Sequence, residues 1–128
     1  MIFEKLQEDS RNLSHKFIER PWGRFIVLST VCENGDVIYK QKLLLIKPDV
    51  SLKLHKHIDY SEFWIGEKAF EYVLENERGE LITKRAEPFG RIFVPKNRKH
   101  KIINREQELR ILEIQTGLIL EEDNIKFD

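Results

Sequence analysis

The chain has 128 residues, 41% hydrophobic and 34% charged, a composition that suits one globular domain and excludes a disordered chain. Lys plus Arg balance Asp plus Glu at 22 each, which argues against a dedicated binder of nucleic acid or of an anionic membrane. A lone cysteine, Cys32, leaves no internal disulfide and fits a reducing compartment.

In chain order, Met1 to Glu19 carry helix-compatible apolar spacing at Ile2, Phe3 and Leu6 and again at Leu13 and Phe17, broken by Asp9, Ser10 and Ser14. They are expected to form a short N-terminal arm or helix, residues 1–19, ahead of one domain, residues 20–128. The mixed, charged start lacks the apolar core of a secretory signal, and no apolar run reaches the length of a membrane span. A soluble cytoplasmic domain is the expectation, and His15 in the arm is expected to be solvated.

From Arg24 the pattern turns to strands. R-F-I-V-L-S-T-V is β-branched and aromatic, Asn34-Gly35 is a hairpin turn, and D-V-I-Y-K-Q-K-L-L-L-I-K is the partner strand, ended by Pro48. F-E-Y-V-L-E-N and E-L-I-T-K-R read as a second hairpin across Glu77-Arg78-Gly79. R-I-F-V and K-I-I-N are short strands, E-L-R-I-L-E-I-Q-T is a long alternating one, and E-E-D-N-I-K-F-D is an acidic tail. Many short strands with regular turn signals predict a closed or sandwiched all-β fold. Trp22 and Trp64 are expected to pack in the core or at an interface.

The chemistry gathers in Asp49 to Glu62. His55 and His57 stand two apart in a strand-like stretch, so both imidazoles look to one side, with Lys53 beside them by parity. Glu62 follows, and His100 lies far on in P-K-N-R-K-H-K-I-I-N. Three of the chain's four histidines and one carboxylate make a first shell for a divalent metal. Such a mixed shell accepts Zn, Mn, Fe, Co or Ni. Lys53, if turned into the cavity, is a candidate to bind phosphate or act as a general base; if the strand end is open, it reaches water. On the last long strand Ile111, Glu113 and Gln115 share one face and Arg110, Leu112 and Ile114 the other, and alternation alone does not say which face is inside. The basic run Lys96, Arg98, Lys99 and Lys101 beside His100 either draws a phosphate to the cavity or is a solvated turn.

These residues resemble the two motifs of the cupin superfamily. The first motif, G-x5-H-x-H-x3–4-E-x6-G, is met by Asp49, His55, His57, Glu62 and Ala69; the second, G-x5-P-x-G-x2-H-x3-N, by Gly90, Pro95, Asn97, His100 and Asn104, one residue short after Gly90. Asp49 and Asn97 stand at glycine positions, which Asp and Asn tolerate because they visit the left-handed region more readily than most residues. Ala69 is the less comfortable replacement.

A narrower resemblance, over Glu19 to Asp128, is to the C-terminal domain of type II phosphomannose isomerases, often fused to a mannose-1-phosphate guanylyltransferase. It rests on R-P-W-G-R-F, S-L-K-L-H-K-H leading to E-F-W, I-F-V-P-K-N-R-K-H-K-I-I-N, and L-E-I-Q-T-G-L-I-L-E-E-D-N-I-K. The chain departs from that family in a longer step from His57 to Glu62, in Lys53 where Gln is usual, and in Lys126 where an Arg is usual. The resemblance implies a single-domain cupin, a double-stranded β-helix or jelly-roll barrel, holding one divalent ion on His55, His57, Glu62 and His100. It also implies isomerisation of mannose-6-phosphate, with Glu113 as a catalytic and Gln115 as a substrate-binding candidate; strand parity adds Lys53 as a catalytic candidate, and the basic run beside His100 adds Lys99 as a substrate-binding one. A homodimer, with the arm as a swapped strand, is expected on the same ground. The other functions open to such a barrel are an Fe(II) dioxygenase and a non-catalytic sugar-binding domain.

Overall fold

The computed structural model describes Phe3 and residues 16–127. Twelve strands occur among them: β1 (Ile18–Arg20), β2 (Gly23–Glu33), β3 (Asp36–Ile46), β4 (Val50–Ser51), β5 (Leu54–Lys56), β6 (Tyr60–Gly66), β7 (Phe70–Glu75), β8 (Leu81–Ala86), β9 (Arg91–Val94), β10 (His100–Asn104), β11 (Leu109–Gly117) and β12 (Ile125–Phe127). They make two antiparallel sheets, ordered β1-β2-β3-β11-β6-β9 and β12-β5-β10-β7-β8, with β4 added to β10. The all-β expectation holds. Most of the arm, His15 included, lies outside the described residues. No helix among those described is long and apolar enough to cross a membrane.

The hairpin turns are where the sequence places them. Asn34 and Gly35 both take positive φ, 53° and 85°, as a two-residue turn of the I′ type needs to match strand twist. Asp49 and Asn97, the two residues at glycine positions of the motifs, also take positive φ, 55° and 59°. Ala69 does not, so its turn never asks for the left-handed backbone that a methyl group would oppose.

The sheets face one another across a core of Phe25, Leu44, Ile46, Trp64, Phe70, Tyr72, Ile102 and Ile111. The L-L-L-I run of β3 is buried on both faces. Leu44 and Ile46 point into the barrel, whereas Leu43 and Leu45 join Ile26 and Phe3 in a second cluster. That two-sided burial is why the run shows no polar alternation. Along the barrel interior the strands change character: Leu44, Ile111 and Trp64 fill one end, while the same faces of β3, β11 and β6 carry Lys42 and Lys40, Glu113 and Gln115, and Glu62 further along. The apolar end is filled by side chains. The polar end is where a ligand can sit.

Gly117, at φ 131°, brings the end of β11 against the Asp59–Tyr60 backbone, and a Cβ there would overlap the Asp59 carbonyl oxygen. Gly117→Ala is expected to cost roughly 2–4 kcal/mol through combined backbone strain and steric clash, read as a lowered midpoint in thermal or urea unfolding.

Candidate metal centre

Three strands and one turn deliver the four candidate ligands. His55 lies on β5 directly opposite His100 on β10, and His57 follows β5 in the turn to β6. The ring centroids stand 4.3 Å (His55–His100), 5.1 Å (His55–His57) and 5.2 Å (His57–His100) apart. One nitrogen from each ring lies within 4.8 Å of the others. Glu62, on the facing sheet, reaches the cluster with Oε2 3.6 Å from His57 Nε2 and Oε1 3.3 Å from His100 Nε2. All four predicted ligands therefore converge.

The hydrogen bonds behind the rings fix which nitrogen carries the proton. His55 Nδ1 meets the carbonyl of Lys53 at 2.8 Å, His57 Nδ1 that of Asp123 at 2.7 Å, and His100 Nδ1 that of Arg98 at 2.8 Å. A carbonyl only accepts, so each Nδ1 donates and each neutral ring presents the Nε2 lone pair forward. Burial, reinforced by the neighbouring His100, pushes His55 down to about 4, and burial lowers His57 too; both are neutral near pH 7. His100 Nε2 is fully buried and, among the described residues, has no hydrogen-bond partner, although a carboxylate oxygen lies 3.3 Å away. Two electron-rich atoms face each other there. A divalent cation between them satisfies both, and three imidazoles with one carboxylate are a donor set such ions accept, so the residues fit the metal.

Glu62 is held as an anion. Trp64 Nε1 donates to Oε1 at 3.3 Å and Gln115 Nε2 to Oε2 at 2.9 Å. Burial alone would raise its carboxyl, but the hydrogen bond and positive charge that the His100 ring, and then the His57 ring, lend when protonated, together with the Gln115 amide, outweigh burial and hold it well below the usual carboxylate range. Gln115 Nε2 also donates to Glu113 Oε1 at 3.0 Å, so one amide bridges two carboxyl groups. For Glu113 burial dominates and the nearby Glu62 charge adds to it, pushing it up to about 8. The two acids are driven apart: one stays ionised, the other holds a proton. The amide oxygen of Gln115 is buried and has no hydrogen-bond partner among the described residues.

His55, His57, Glu62, Glu113 and Gln115 line an open cavity of about 740 Å³, of a size that takes a small polar metabolite. The parity left open on β11 is settled, with Glu113 and Gln115 buried and facing the cavity. Lys53 lines the cavity too, but its side chain is exposed at the mouth, so the open-strand-end alternative is the one found. Lys99 is not brought there. Its backbone N–H donates to Glu75 Oε1 at 3.0 Å and its ammonium lies 4.4 Å from the centre of the Phe127 ring.

Of the cavity's other cations, Arg20, Lys40 and Lys42 were not singled out from sequence, whereas Lys126 stands out there as a Lys where an Arg is usual. Lys40 and Lys42 stand opposite Gln115 and Glu113 across the β3–β11 pair. Arg20 and Lys42 both sit over the Phe25 ring, at 5.4 and 4.7 Å from its centre. Lys40 is lowered by burial and by Lys42, the mark of crowded positive charge. A lysine on a strand reads by default as a solvent-facing residue, and only the closure of the barrel turns these two inward. Tyr60, stacked on His57 at 4.2 Å with the rings 19° from parallel, was missed as well. No spacing rule points to it.

Residues 7–128 match the family described as "Mannose-6-phosphate isomerase C-terminal". Among curated proteins, the chain is 33% identical over 112 residues to a mannose-1-phosphate guanylyltransferase of Sinorhizobium fredii, covering 87% of this chain and 20% of that protein. It is 30% identical over 122 residues to mannose-1-phosphate guanylyltransferase 2 of Escherichia coli O157:H7, covering 94% of this chain and 23% of that one. The chain thus spans about a fifth of the length of these relatives. Of solved structures, oxalate decarboxylase from Bacillus subtilis superposes with a TM-score of 0.75 at 15% identity, over 90% of this chain and 30% of that one. The capsular polysaccharide assembling protein CapF from Staphylococcus aureus does so with 0.75 at 12%, over 89% and 34%. Both likenesses bear on the fold alone. With its two facing sheets and converging histidines, the chain is a cupin, and it belongs to the mannose-6-phosphate isomerase C-terminal family.

Proposed function

We propose that this domain is a metal-dependent aldose–ketose isomerase acting on a sugar phosphate, with mannose-6-phosphate and fructose-6-phosphate as the pair. The supporting observation is the meeting, at one cavity, of His55 and His57 from the three-histidine cluster, a buried carboxyl that holds its proton and a rim of cations. A divalent ion bound there supplies a Lewis acid that polarises the substrate carbonyl. The remaining work falls to the chain's own side chains.

The reaction takes a proton from C2 and delivers one to C1, while the hydroxyl proton of O2 is lost and O1 gains one; no oxidant or reductant is needed. Glu113 is the base for the carbon-bound proton. Raised to about 8 without metal, it is drawn back toward neutrality by a dication nearby, which suits a group that must both take and return a proton at pH 7. Gln115 keeps that carboxyl from swinging, through the 3.0 Å bond from Nε2. Its amide oxygen is left to accept a sugar hydroxyl. Lys53, at the mouth, is placed to pass the oxygen-bound proton or to meet the phosphate, a task it would share with Arg20, Lys40, Lys42 and Lys126.

The test is a coupled assay of metal-stripped protein reloaded with Zn, Mn, Co or Fe(II). Metal-dependent conversion of mannose-6-phosphate to fructose-6-phosphate is expected. Protein that holds an ion but turns nothing over would defeat the reading; oxygen consumption would indicate a dioxygenase, and sugar-phosphate binding without turnover a binding domain. In the active protein, Arg20→Ala is expected to raise KM roughly tenfold with kcat changed far less, as for loss of one charged contact to phosphate in both ground and transition state. Steady-state kinetics on mannose-6-phosphate check it.

A further inference from the structure

The three histidines are not oriented in the same way. His55 and His100 each donate Nδ1–H to a carbonyl two residues upstream in their own strand or turn, Lys53 and Arg98. Those bonds are local and persist as long as the strand does. His57 donates instead to the carbonyl of Asp123, 66 residues away, in the segment that follows β11. The Asp123 carboxylate then grips the turn after His57 from the same side: Oδ1 accepts the Ile58 N–H and Oδ2 the Asp59 N–H, both at 2.8 Å. Beyond it β12 pairs antiparallel with β5, with Lys126 opposite His55. Before it, Leu118 N–H donates to the Asp59 carbonyl at 3.1 Å and Ile119 N–H to that of Val37 at 2.9 Å. Residues Ile119, Leu120, Glu121, Asn124 and Lys126 of this segment form a wall of the cavity.

We propose that residues 118–127 are a strap whose docking is thermodynamically coupled to metal binding, and that Asp123 is the positioning residue that couples them through His57. With the strap docked, the Asp123 carbonyl fixes the tautomer and plane of His57, so that Nε2 faces His100 and Glu62. With the strap lifted, His55 and His100 keep their local bonds while His57 loses the carbonyl that orients it and the carboxylate that shapes the following turn. The shell then falls from three positioned imidazoles to two. Losing the group that orients a ligating histidine costs about 10–100-fold in metal affinity. By linkage, the ion favours the docked strap by whatever factor the docked strap favours the ion. A chain segment that closes the cavity is thus held more firmly when the centre is loaded.

This rests on the metal reading, and the experiment separates the two. Metal-stripped wild type and Asp123→Ala are titrated with Co(II), read by the visible spectrum, and with Zn against a chromophoric chelator. Amide hydrogen exchange is followed over Ile125–Phe127 in wild type with and without Zn. Asp123→Ala leaves the backbone carbonyl but removes the carboxylate that holds the strap to the Ile58–Asp59 turn. By loosening the strap, and with it the carbonyl that orients His57, it is expected to raise the Zn dissociation constant by up to about 10–100-fold and to alter the Co(II) spectrum. Asp123→Asn, which keeps one acceptor oxygen, is expected to fall between Ala and wild type. Zn is expected to slow exchange over Ile125–Phe127 in wild type. A role confined to stability would lower apo and loaded melting points alike and leave the dissociation constant within twofold; that result overturns the proposal. So does wild-type exchange over Ile125–Phe127 that Zn leaves unchanged, a readout that needs no variant to fold. Wild type that binds neither Co(II) nor Zn overturns the metal reading itself.

Discussion

Glu113→Gln is expected to lower kcat by a factor of 10²–10⁴, the range typical for removal of a general base, while metal affinity changes little. Glutamine keeps the shape and can still accept the Gln115 N–H, which now reaches Glu113 Oε1 at 3.0 Å. What it cannot do is take a proton from carbon. Exchange of the substrate's C2 hydrogen with solvent should fall in step with turnover, and a variant retaining more than a tenth of wild-type kcat would remove Glu113 from the mechanism.

The same substitution has a signature in the metal-stripped protein. Glu113 is raised from 4.5 to about 8, so between those values the folded state holds a proton that the unfolded chain has released. Stability from this group therefore falls as pH rises through that window. His55 works the other way. Lowered from 6.5 to about 4, it refuses a proton that the unfolded chain takes, and stability falls as pH drops through that window. The His55 slope, joined by that of His57, opposes the Glu113 slope below about 6.5, and the Glu113 slope dominates from there to about 8. Thermal midpoints of the stripped wild type should accordingly decline from pH 6.5 to 8, and Glu113→Gln should flatten that limb. A wild-type midpoint that climbs over this range would contradict the assignment.

His57→Ala is expected to abolish metal-dependent turnover and weaken ion binding at least 100-fold. It removes one of the three imidazole donors of the shell. It also deletes the ring on which Tyr60 stacks and the donor to the Asp123 carbonyl. Its effect should therefore exceed that of Asp123→Ala, which leaves the imidazole in place. Competition titrations of both variants rank them directly. Equal affinities for wild type and His57→Ala would exclude this histidine from the shell.

Much of this site was legible because metal ligands and turn residues obey spacing. His55, His57, Glu62 and His100 announce themselves at fixed intervals, and the positive φ at Asp49 and Asn97 is what residues at glycine positions must adopt. Period-two alternation put Glu113 and Gln115 on one face but could not say which face was buried, since both faces of β11 carry apolar neighbours. What sequence could not reach depends on closure. Lys40 and Lys42 line the cavity because the barrel curls β3 around it. Lys99 beside His100 looked equally placed, yet the turn carries it outward to Phe127. The acidic end of the chain showed no long strand pattern, although Ile125 and Phe127 alternate around Lys126. Its pairing with β5 and the grip of Asp123 on His57 are contacts across more than sixty residues, which local patterns do not encode.

The central claim is a single divalent ion among His55, His57, His100 and Glu62. Anomalous diffraction at the zinc edge, from crystals of zinc-reloaded protein, tests it most directly. The account predicts one strong peak per chain, about 2.0–2.2 Å from the Nε2 atoms of all three histidines and from a Glu62 oxygen. A peak coordinated elsewhere, or none in crystals grown with stoichiometric zinc, would contradict it.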